Sequence, residues 1–205
     1  MAQEWIYDIS KTVCFSGHRR EKLPDKGKTS SLKMRGILSM LYFEIEQSIN
    51  DGYENFIVGG ASGIDLMAAE LIMQFIHRGK NIRLIVALPY PEFGSNYKND
   101  DLFMRGNALE TASQIITVSD SYYEGCYSKR NRFMVKHSSR LIAVVYDYKS
   151  GTGQTIGYAK KQKLDTKIID AHKFSLMVDK CTESEPEFIE EETELKNLVK
   201  IYYNT

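Results

Sequence analysis

The chain has 205 residues, of which 42% are hydrophobic and 26% charged, and both values are ordinary for one soluble globular domain. Lysine plus arginine number 27, as do aspartate plus glutamate, so no net positive charge argues for binding to duplex DNA or a membrane surface. The cysteines Cys14, Cys126 and Cys181 are widely spaced and form no Cys-x-x-Cys pair. This spacing suggests neither a disulfide framework nor a zinc site.

The N-terminal residues show no basic segment followed by an apolar core, so no signal peptide is predicted. No apolar run approaches the roughly 18 residues that a membrane span requires. We therefore expect a cytoplasmic protein without a membrane partner.

Short apolar runs alternate with helical patterns along the chain. Several runs are continuous, which is expected for strands buried on both faces of a mainly parallel sheet. Residues 34–49 repeat apolar side chains at helical spacing before Asp51-Gly52, and residues 64–76 indicate a second helix. This alternation predicts an α/β fold of Rossmann-like type, a doubly wound, mainly parallel sheet flanked by helices. The predicted strands are 12–15, 56–58, 84–88, 115–118, 141–146 and 168–169.

The composition of the sequence changes near residue 170, from alternating apolar runs and helical patterns to an acidic stretch. We expect residues 1–170 to form the Rossmann-like domain and residues 171–205 to form an acidic C-terminal tail. Residues 183–194 are strongly acidic, and a weak apolar stripe follows them. This pattern predicts a mobile acidic linker and one docking helix, although it also fits a solvated end.

Three glycine-bearing turns follow predicted strands, at the positions where ligands bind in open α/β sheets. The first contains Gly17, His18 and Arg19. Glycine lets an anion approach the backbone closely, while the histidine and arginine offer donors to a phosphate. The alternative interpretation is a turn with solvated basic side chains.

The second turn lies before a predicted helix, whose N-terminus favours negative charge. It matches neither the G-x-G-x-x-G fingerprint nor a P-loop. Ser62 and Asp65 also fit a Ser-x-x-Asp capping arrangement, in which Asp65 orients the loop and does not contact a ligand. The candidate ligand-binding residues here are Gly59, Gly60, Ala61, Ser62, Gly63 and Asp65.

The third turn contains Gly151, Thr152, Gly153 and Thr155, and it also precedes a predicted helix. Its glycines and hydroxyl groups suit phosphate oxygens. The alternative is an ordinary strand-to-helix connection with a threonine cap. Three such turns at one edge of a sheet favour a ligand site over three unrelated connections.

Two further segments are expected to frame the pocket. Pro89 and Tyr90 end the third strand, and the tyrosine is placed to stack on a base. Residues 122–132 mix tyrosines with cations, which suits stacking together with phosphate neutralisation, and Arg130 and Asn131 are its candidate ligand contacts. These tyrosines fit packing roles equally well. The histidines at 77, 137 and 172 lack metal-ligand spacing, so no metal site is predicted, and no catalytic residue is identified.

These motifs together resemble the YpsA-like proteins of the SLOG superfamily. The similarity covers about residues 11–170, and its motifs lie in residues 15–19, 58–70, 131–138, 141–144 and 151–155. The resemblance implies a Rossmann-like domain that binds nucleotides or nucleotide-derived ligands. The superfamily includes DprA, which binds single-stranded DNA, and the LOG phosphoribohydrolases, which cleave the N-glycosidic bond of nucleoside monophosphates.

One departure bears on catalysis. LOG enzymes carry a Pro-Gly-Gly-x-Gly-Thr-x-x-Glu motif, and placing Gly151-Thr152 on its Gly-Thr puts Thr155 at the position of the glutamate. Thr155 cannot act as a carboxylate base. We therefore predict a module that binds a nucleotide derivative such as ADP-ribose, NAD or a nucleoside phosphate, and the sequence identifies no certain cofactor. The alternatives are an N-glycosidase of LOG type with a relocated carboxylate and DprA-like binding of single-stranded DNA. A homo-oligomer is also expected.

Overall fold

A computed structural model describes residues 5–184 and 192–204. Six strands form one sheet, and each predicted apolar run is one of them. The strands are β1 (Thr12–Gly17), β2 (Asn55–Val58), β3 (Arg83–Leu88), β4 (Gln114–Thr117), β5 (Arg140–Val145) and β6 (Asp165–Asp170). Their order is β4-β3-β2-β1-β5-β6, and every neighbouring pair is parallel. The predicted α/β, Rossmann-like fold with a mainly parallel sheet is confirmed.

Helices cover both faces of the sheet because the strands are apolar on both sides. Val13 and Phe15 of β1 belong to a hydrophobic cluster on one face, whereas Cys14, between them, belongs to a cluster on the other. The first face carries α1 (Leu32–Asn50), α2 (Ile64–His77) and α3 (Asn99–Thr111), together with the C-terminal helices α6 (Ala171–Ser184) and α7 (Glu192–Asn204). The second face carries α4 (Cys126–Lys136) and α5 (Gly151–Lys161).

The strand order contains one reversal. From β1 the chain builds outward through β2 and β3 to β4, then returns to place β5 and β6 on the other side of β1. The gap between the carboxyl ends of β1 and β5 is therefore the topological switch point, where ligands bind in open sheets of this kind. The first and third predicted turns follow β1 and β5, so both lie at this gap.

Both ends of α1 have the residues that commonly begin and end a helix. The Ser31 hydroxyl accepts a hydrogen bond from the Met34 backbone N–H and caps the start of α1. The helix ends before Asp51-Gly52, where Gly52 has a φ of +89°, a conformation that glycine adopts readily. The predicted end of this helix at Asp51-Gly52 is confirmed.

The C-terminal helices pack against the same hydrophobic cluster as α1. Phe174 of α6 and Leu198 of α7 are buried in it. The Asp170 backbone N–H donates to the Tyr202 hydroxyl over 2.6 Å, and the Tyr203 hydroxyl donates to Glu44 over 2.9 Å. Most of the predicted acidic linker falls on residues 185–191, which lie outside the described residues, and the division at residue 170 stays a prediction.

The two edges of the sheet differ in length and charge. β4 has four residues, whereas β6 has six and carries an ion pair between Lys167 and Asp165 over 3.3 Å. Within the described part of the chain, no helix is long and apolar enough to cross a membrane.

Candidate functional site

A cavity of about 210 Å³ lies at the switch point. It is built from the turns after β1, β2 and β5 and from the first turns of α4. Phe15, Ser16, Lys22, Tyr127 and Ser150 contribute to its lining but were not among the predicted site residues. The predicted residues that line it are Gly17, His18, Arg19, Ala61, Asp65, Arg130, Asn131, Gly151 and Thr152.

The first two turns pack directly on each other. A Cβ atom on Gly17 would lie 2.3 Å from Ile64 Cβ, and one on Gly63 would lie 2.5 Å from the His18 carbonyl oxygen. Gly63 also has a φ of +92°, so only glycine fits there without strain. The Ile64 N–H donates to the His18 carbonyl over 3.2 Å. These two glycines therefore allow close packing of the turns, and Gly63 is not part of the cavity lining.

His18 connects the turns after β1 and β5. Its side chain is 5% exposed, and its Nε2 accepts a hydrogen bond from the Asp147 backbone N–H over 3.1 Å. An imidazole that accepts at Nε2 is neutral and carries its proton on Nδ1. Burial lowers the pKa of His18 from its ordinary value of 6.5, against the opposing charge of Asp147. The ring therefore holds the two turns together in its neutral form and retains Nδ1–H as a donor.

This contact predicts a pH dependence of stability. Since the pKa of His18 is lower in the folded chain than its ordinary 6.5, the unfolded chain takes up the proton first as pH falls. With respect to this group, the free energy of unfolding should be constant well above pH 6.5 and should decrease as pH falls through 6.5 towards the lower pKa of the folded chain. Urea unfolding across this range measures the slope.

Two variants distinguish His18 from the other histidines. His18→Gln keeps a side-chain acceptor but does not titrate, so the slope should become shallower. His172→Gln, at the edge of Tyr146, should leave the slope as in the parent chain. If the free energy of unfolding depends on pH equally in the parent chain and in His18→Gln, protonation of this ring does not contribute to that dependence.

A buried ion pair forms the centre of the cavity wall. Arg130 Nη1 lies 3.4 Å from Asp65 Oδ2, and the two residues are 5% and 6% exposed. Asp65 also accepts from the Ala61 backbone N–H over 3.3 Å. Burial raises the pKa of Asp65 and lowers that of Arg130, while the charge of each partner opposes both shifts. Arg130 Nε is buried and has no hydrogen-bond acceptor among the described residues.

Gly59 makes this pair possible. A Cβ atom there would lie 1.4 Å from Arg130 Nη1 and 2.6 Å from Asp65 Oδ2. Any side chain would therefore occupy the position of the guanidinium. Gly60 lies beside it with a φ of +68° and does not line the cavity.

The predicted capping arrangement of Ser62 and Asp65 is wrong, although Asp65 does orient the loop by accepting from the Ala61 N–H. The residue at the cap of α2 is Gly63, without a side-chain capping bond. Asp65 pairs with the buried charge of Arg130, and the Ser62 hydroxyl donates to Asp101 on α3. The Ser62 N–H donates to the Tyr97 hydroxyl over 3.1 Å. Ser62 therefore connects α2 to α3 outside the cavity lining.

The third turn brings the N-terminus of α5 to the cavity. Ser150, and not a threonine, caps this helix by accepting from the Gly153 N–H over 3.4 Å. A Cβ atom on Gly153 would lie 1.9 Å from the Tyr148 carbonyl oxygen, so this glycine serves packing. Gly151 and Thr152 line the cavity. Backbone N–H groups in a first helical turn lack intrahelical acceptors and attract anions.

The predicted stacking residue Tyr90 belongs to an aromatic cluster beside the cavity. Its ring centroid lies 5.6 Å from that of Phe93 and 5.6 Å from that of Tyr122. Neither Pro89 nor Tyr90 lines the cavity. Of this aromatic cluster, Tyr127 lines the cavity, and the Arg19 guanidinium lies 5.4 Å from its ring centroid.

A larger groove between α4 and α5 adjoins the cavity. It has a volume of about 620 Å³ and shares Tyr127, Asn131 and Gly151 with the cavity. Thr155 lies in it, and its hydroxyl accepts from Asn131 Nδ2 over 3.0 Å. The groove also contains Arg132 and Lys161. Arg132 belongs to the segment 122–132, whose tyrosines and cations were predicted to frame the pocket, whereas Lys22 and Lys161 were missed because only tertiary packing brings them to the site.

A doubly wound parallel sheet with glycine-rich turns at its switch point defines a Rossmann-like protein. The family model of YpsA, described as the YspA SLOG family, matches residues 13–194. The chain therefore belongs to the YpsA family of SLOG proteins. This confirms the resemblance drawn from the motifs and extends it past residue 170.

Two sequence relatives are similar to this chain over more than half of its length. The prophage-derived protein YoqJ of Bacillus subtilis is 29% identical over 57% of this chain and 75% of its own length. A UPF0398 protein of Bacillus cereus (strain G9842) is 26% identical over 62% of this chain and 70% of its own.

Two DNA processing protein A structures share the fold. The protein from Helicobacter pylori, described by its single-stranded DNA binding mode, has a TM-score of 0.52 at 19% identity, covering 94% of this chain and 80% of that one. The protein from Streptococcus pneumoniae has a TM-score of 0.50 at 15% identity, covering 77% of this chain and 49% of that one.

Proposed function

We propose that this protein binds a nucleotide or nucleotide derivative, with a phosphate group in the switch-point cavity. ADP-ribose, NAD and nucleoside phosphates all carry such a group. Membership of the SLOG family and the location at the switch point support this function. The single-stranded DNA bound by the Helicobacter pylori relative also presents phosphates.

The orphaned Nε of Arg130 is the observation that carries the proposal. A buried N–H donor without an acceptor is costly, about 1–3 kcal/mol and more for a charged group. Asp65 engages Nη1 of the same guanidinium, so the group is held in place while Nε is not satisfied. Nε itself is buried behind the cavity surface, so a phosphate oxygen supplies the missing acceptor only after a small shift of the Arg130 side chain towards the cavity.

The charges around the cavity favour an anion. Arg19, Lys22 and Arg130 line it, against one carboxylate, Asp65. Neither Arg19 nor Lys22 forms an ion pair with another described residue. The chain as a whole has a formal net charge of zero, so the positive potential is local to this site.

The charged residues that line the cavity also argue against hydrolysis of an N-glycosidic bond. Such a reaction needs a carboxylate able to act as base or to stabilise a cationic transition state. Asp65 is the one carboxylate among the described residues that line the cavity, and it is engaged by Arg130 and the Ala61 N–H. Binding without hydrolysis is therefore the function that this site supports.

Thermal unfolding with AMP, ADP-ribose and adenosine tests the proposal. A phosphate-bearing ligand at about 100 times its Kd should stabilise the chain by about 2.7 kcal/mol, whereas adenosine should have a much smaller effect. Arg19→Gln should weaken binding, and Lys28→Gln, an exposed lysine outside the cavity lining, should not. Equal stabilisation by AMP and adenosine, or no response to any phosphate, would remove the basis of the proposal.

A further inference from the structure

The groove between α4 and α5 is the continuation of the switch-point cavity. Sites for small molecules commonly measure about 300–1,000 Å³, so the cavity, at about 210 Å³, is smaller than such a site. The groove, at about 620 Å³, is about three times larger, and the two share lining residues. A nucleotide whose phosphate lies in the cavity therefore has room to extend into the groove.

The groove carries its own positive charge. Arg132 of α4 and Lys161 of α5 line it, and no aspartate or glutamate does so among the described residues. Neither cation forms an ion pair within the described ranges 5–184 and 192–204. Both are exposed, so they are available to a ligand.

Lys161 is too far along the groove to bind the first phosphate. Lys161 follows Gly151 by ten residues, which is about 15 Å along the axis of α5. Even an extended lysine side chain cannot contact a phosphate held at the start of this helix. Lys161 is therefore placed for a second anionic group.

The part of the groove between the switch-point cavity and Lys161 can accept a nucleoside. The Arg132 guanidinium lies 5.8 Å from the ring centroid of Tyr158, across the groove, an arrangement that leaves its N–H edge available for a bidentate contact with phosphate. Gly157 is exposed, and a Cβ atom there would have no neighbour within 4 Å. The floor of the groove is therefore open over this turn of α5.

We propose that the ligand is a nucleotide unit with two phosphates separated by a nucleoside. The first phosphate occupies the switch-point cavity, and the second lies in the groove, where Arg132 and Lys161 bind it. This inference rests on the proposed function, because the first phosphate is the group assigned there. A free dinucleotide and the 5′-phosphorylated end of a single strand share this chemistry.

Calorimetric titration of the full chain tests the second phosphate site. The ligands are AMP, the dinucleotide pApA, which carries a 5′-phosphate, and ApA, which lacks that 5′-phosphate. pApA should bind about tenfold more tightly than AMP, and ApA more weakly than pApA. Arg132→Gln and Lys161→Gln should each reduce the affinity for pApA by about tenfold and leave that for AMP unchanged. Lys160→Gln, the adjacent exposed lysine outside the groove lining, is the matched control and should change neither.

The outcomes separate this inference from the function on which it rests. Equal affinities for AMP and pApA would overturn the assignment of a second phosphate site and leave the proposed function standing. Equal losses of affinity for both ligands in the groove variants would do the same. No binding of either would overturn both. A 5′-phosphorylated single strand that binds at least as tightly as pApA identifies the strand end as the source, whereas its exclusion identifies the free dinucleotide.

Discussion

Replacing Arg130 with methionine is expected to lower the free energy of unfolding by about 3–5 kcal/mol. The reason is the partner left behind: Asp65 is 6% exposed, so its carboxylate would be buried without the positive charge that opposes its desolvation. The substituted chain would also lose the donor that we assign to the ligand phosphate. Urea unfolding monitored by circular dichroism measures the change in stability.

Two comparisons make this expectation specific. Arg132→Gln removes a positive charge from the exposed side of the same helix and should change stability by less than about 0.5 kcal/mol. Asp65→Asn combined with Arg130→Met removes both charges and should recover part of the loss. A loss in Arg130→Met no larger than that in Arg132→Gln would mean that the buried pair contributes nothing to the fold.

Gly59→Ala is expected to affect both stability and ligand affinity, although it adds one methyl group outside the cavity lining. The new Cβ would lie 1.4 Å from Arg130 Nη1, and the buried guanidinium has little room to retreat. The overlap itself should cost about 1–3 kcal/mol, with a further loss where Asp65 and Arg130 separate. Since a displaced guanidinium no longer reaches the phosphate, affinity should fall by about tenfold to a hundredfold.

Gly106→Ala is the matched control for this change. Gly106 lies within α3, and a Cβ atom there would meet no neighbour within 4 Å. This substitution should raise the free energy of unfolding by about 0.4–1 kcal/mol, because alanine restricts the unfolded chain. Unfolding midpoints and titration with a phosphate-bearing ligand measure both variants. A Gly59→Ala chain as stable as Gly106→Ala would show that Arg130 does not occupy this position.

The sequence predicts the strands and the turns at their ends because these depend on local patterns. Continuous apolar runs identify buried parallel strands, and glycine followed by a helical pattern identifies a turn at the carboxyl end of a strand. Neither signal requires knowledge of the strand order. The fold class and the position of the turns could therefore be read from the chain.

The roles of individual residues in those turns depend on long-range contacts. Asp65 looks like a capping residue because Ser62 lies three positions before it, yet it pairs with Arg130, 65 residues away. Tyr90 looks like a stacking residue because it ends a strand, but the packing of α4 places Tyr127 at the cavity instead. Gly63 looks like an anion contact, but it is close to the backbone of the first turn. Local sequence carries no signal for these partners.

The edges of the sheet bear on how the chain behaves at high concentration. An exposed strand edge presents unpaired N–H and C=O groups that can recruit another chain and start aggregation, and proteins limit this risk with short or charged edge strands. Here β4 is short, and β6 places Asp165 and Lys167 along its length. Neither edge therefore offers a long apolar template, and replacing both charges with valine would create one.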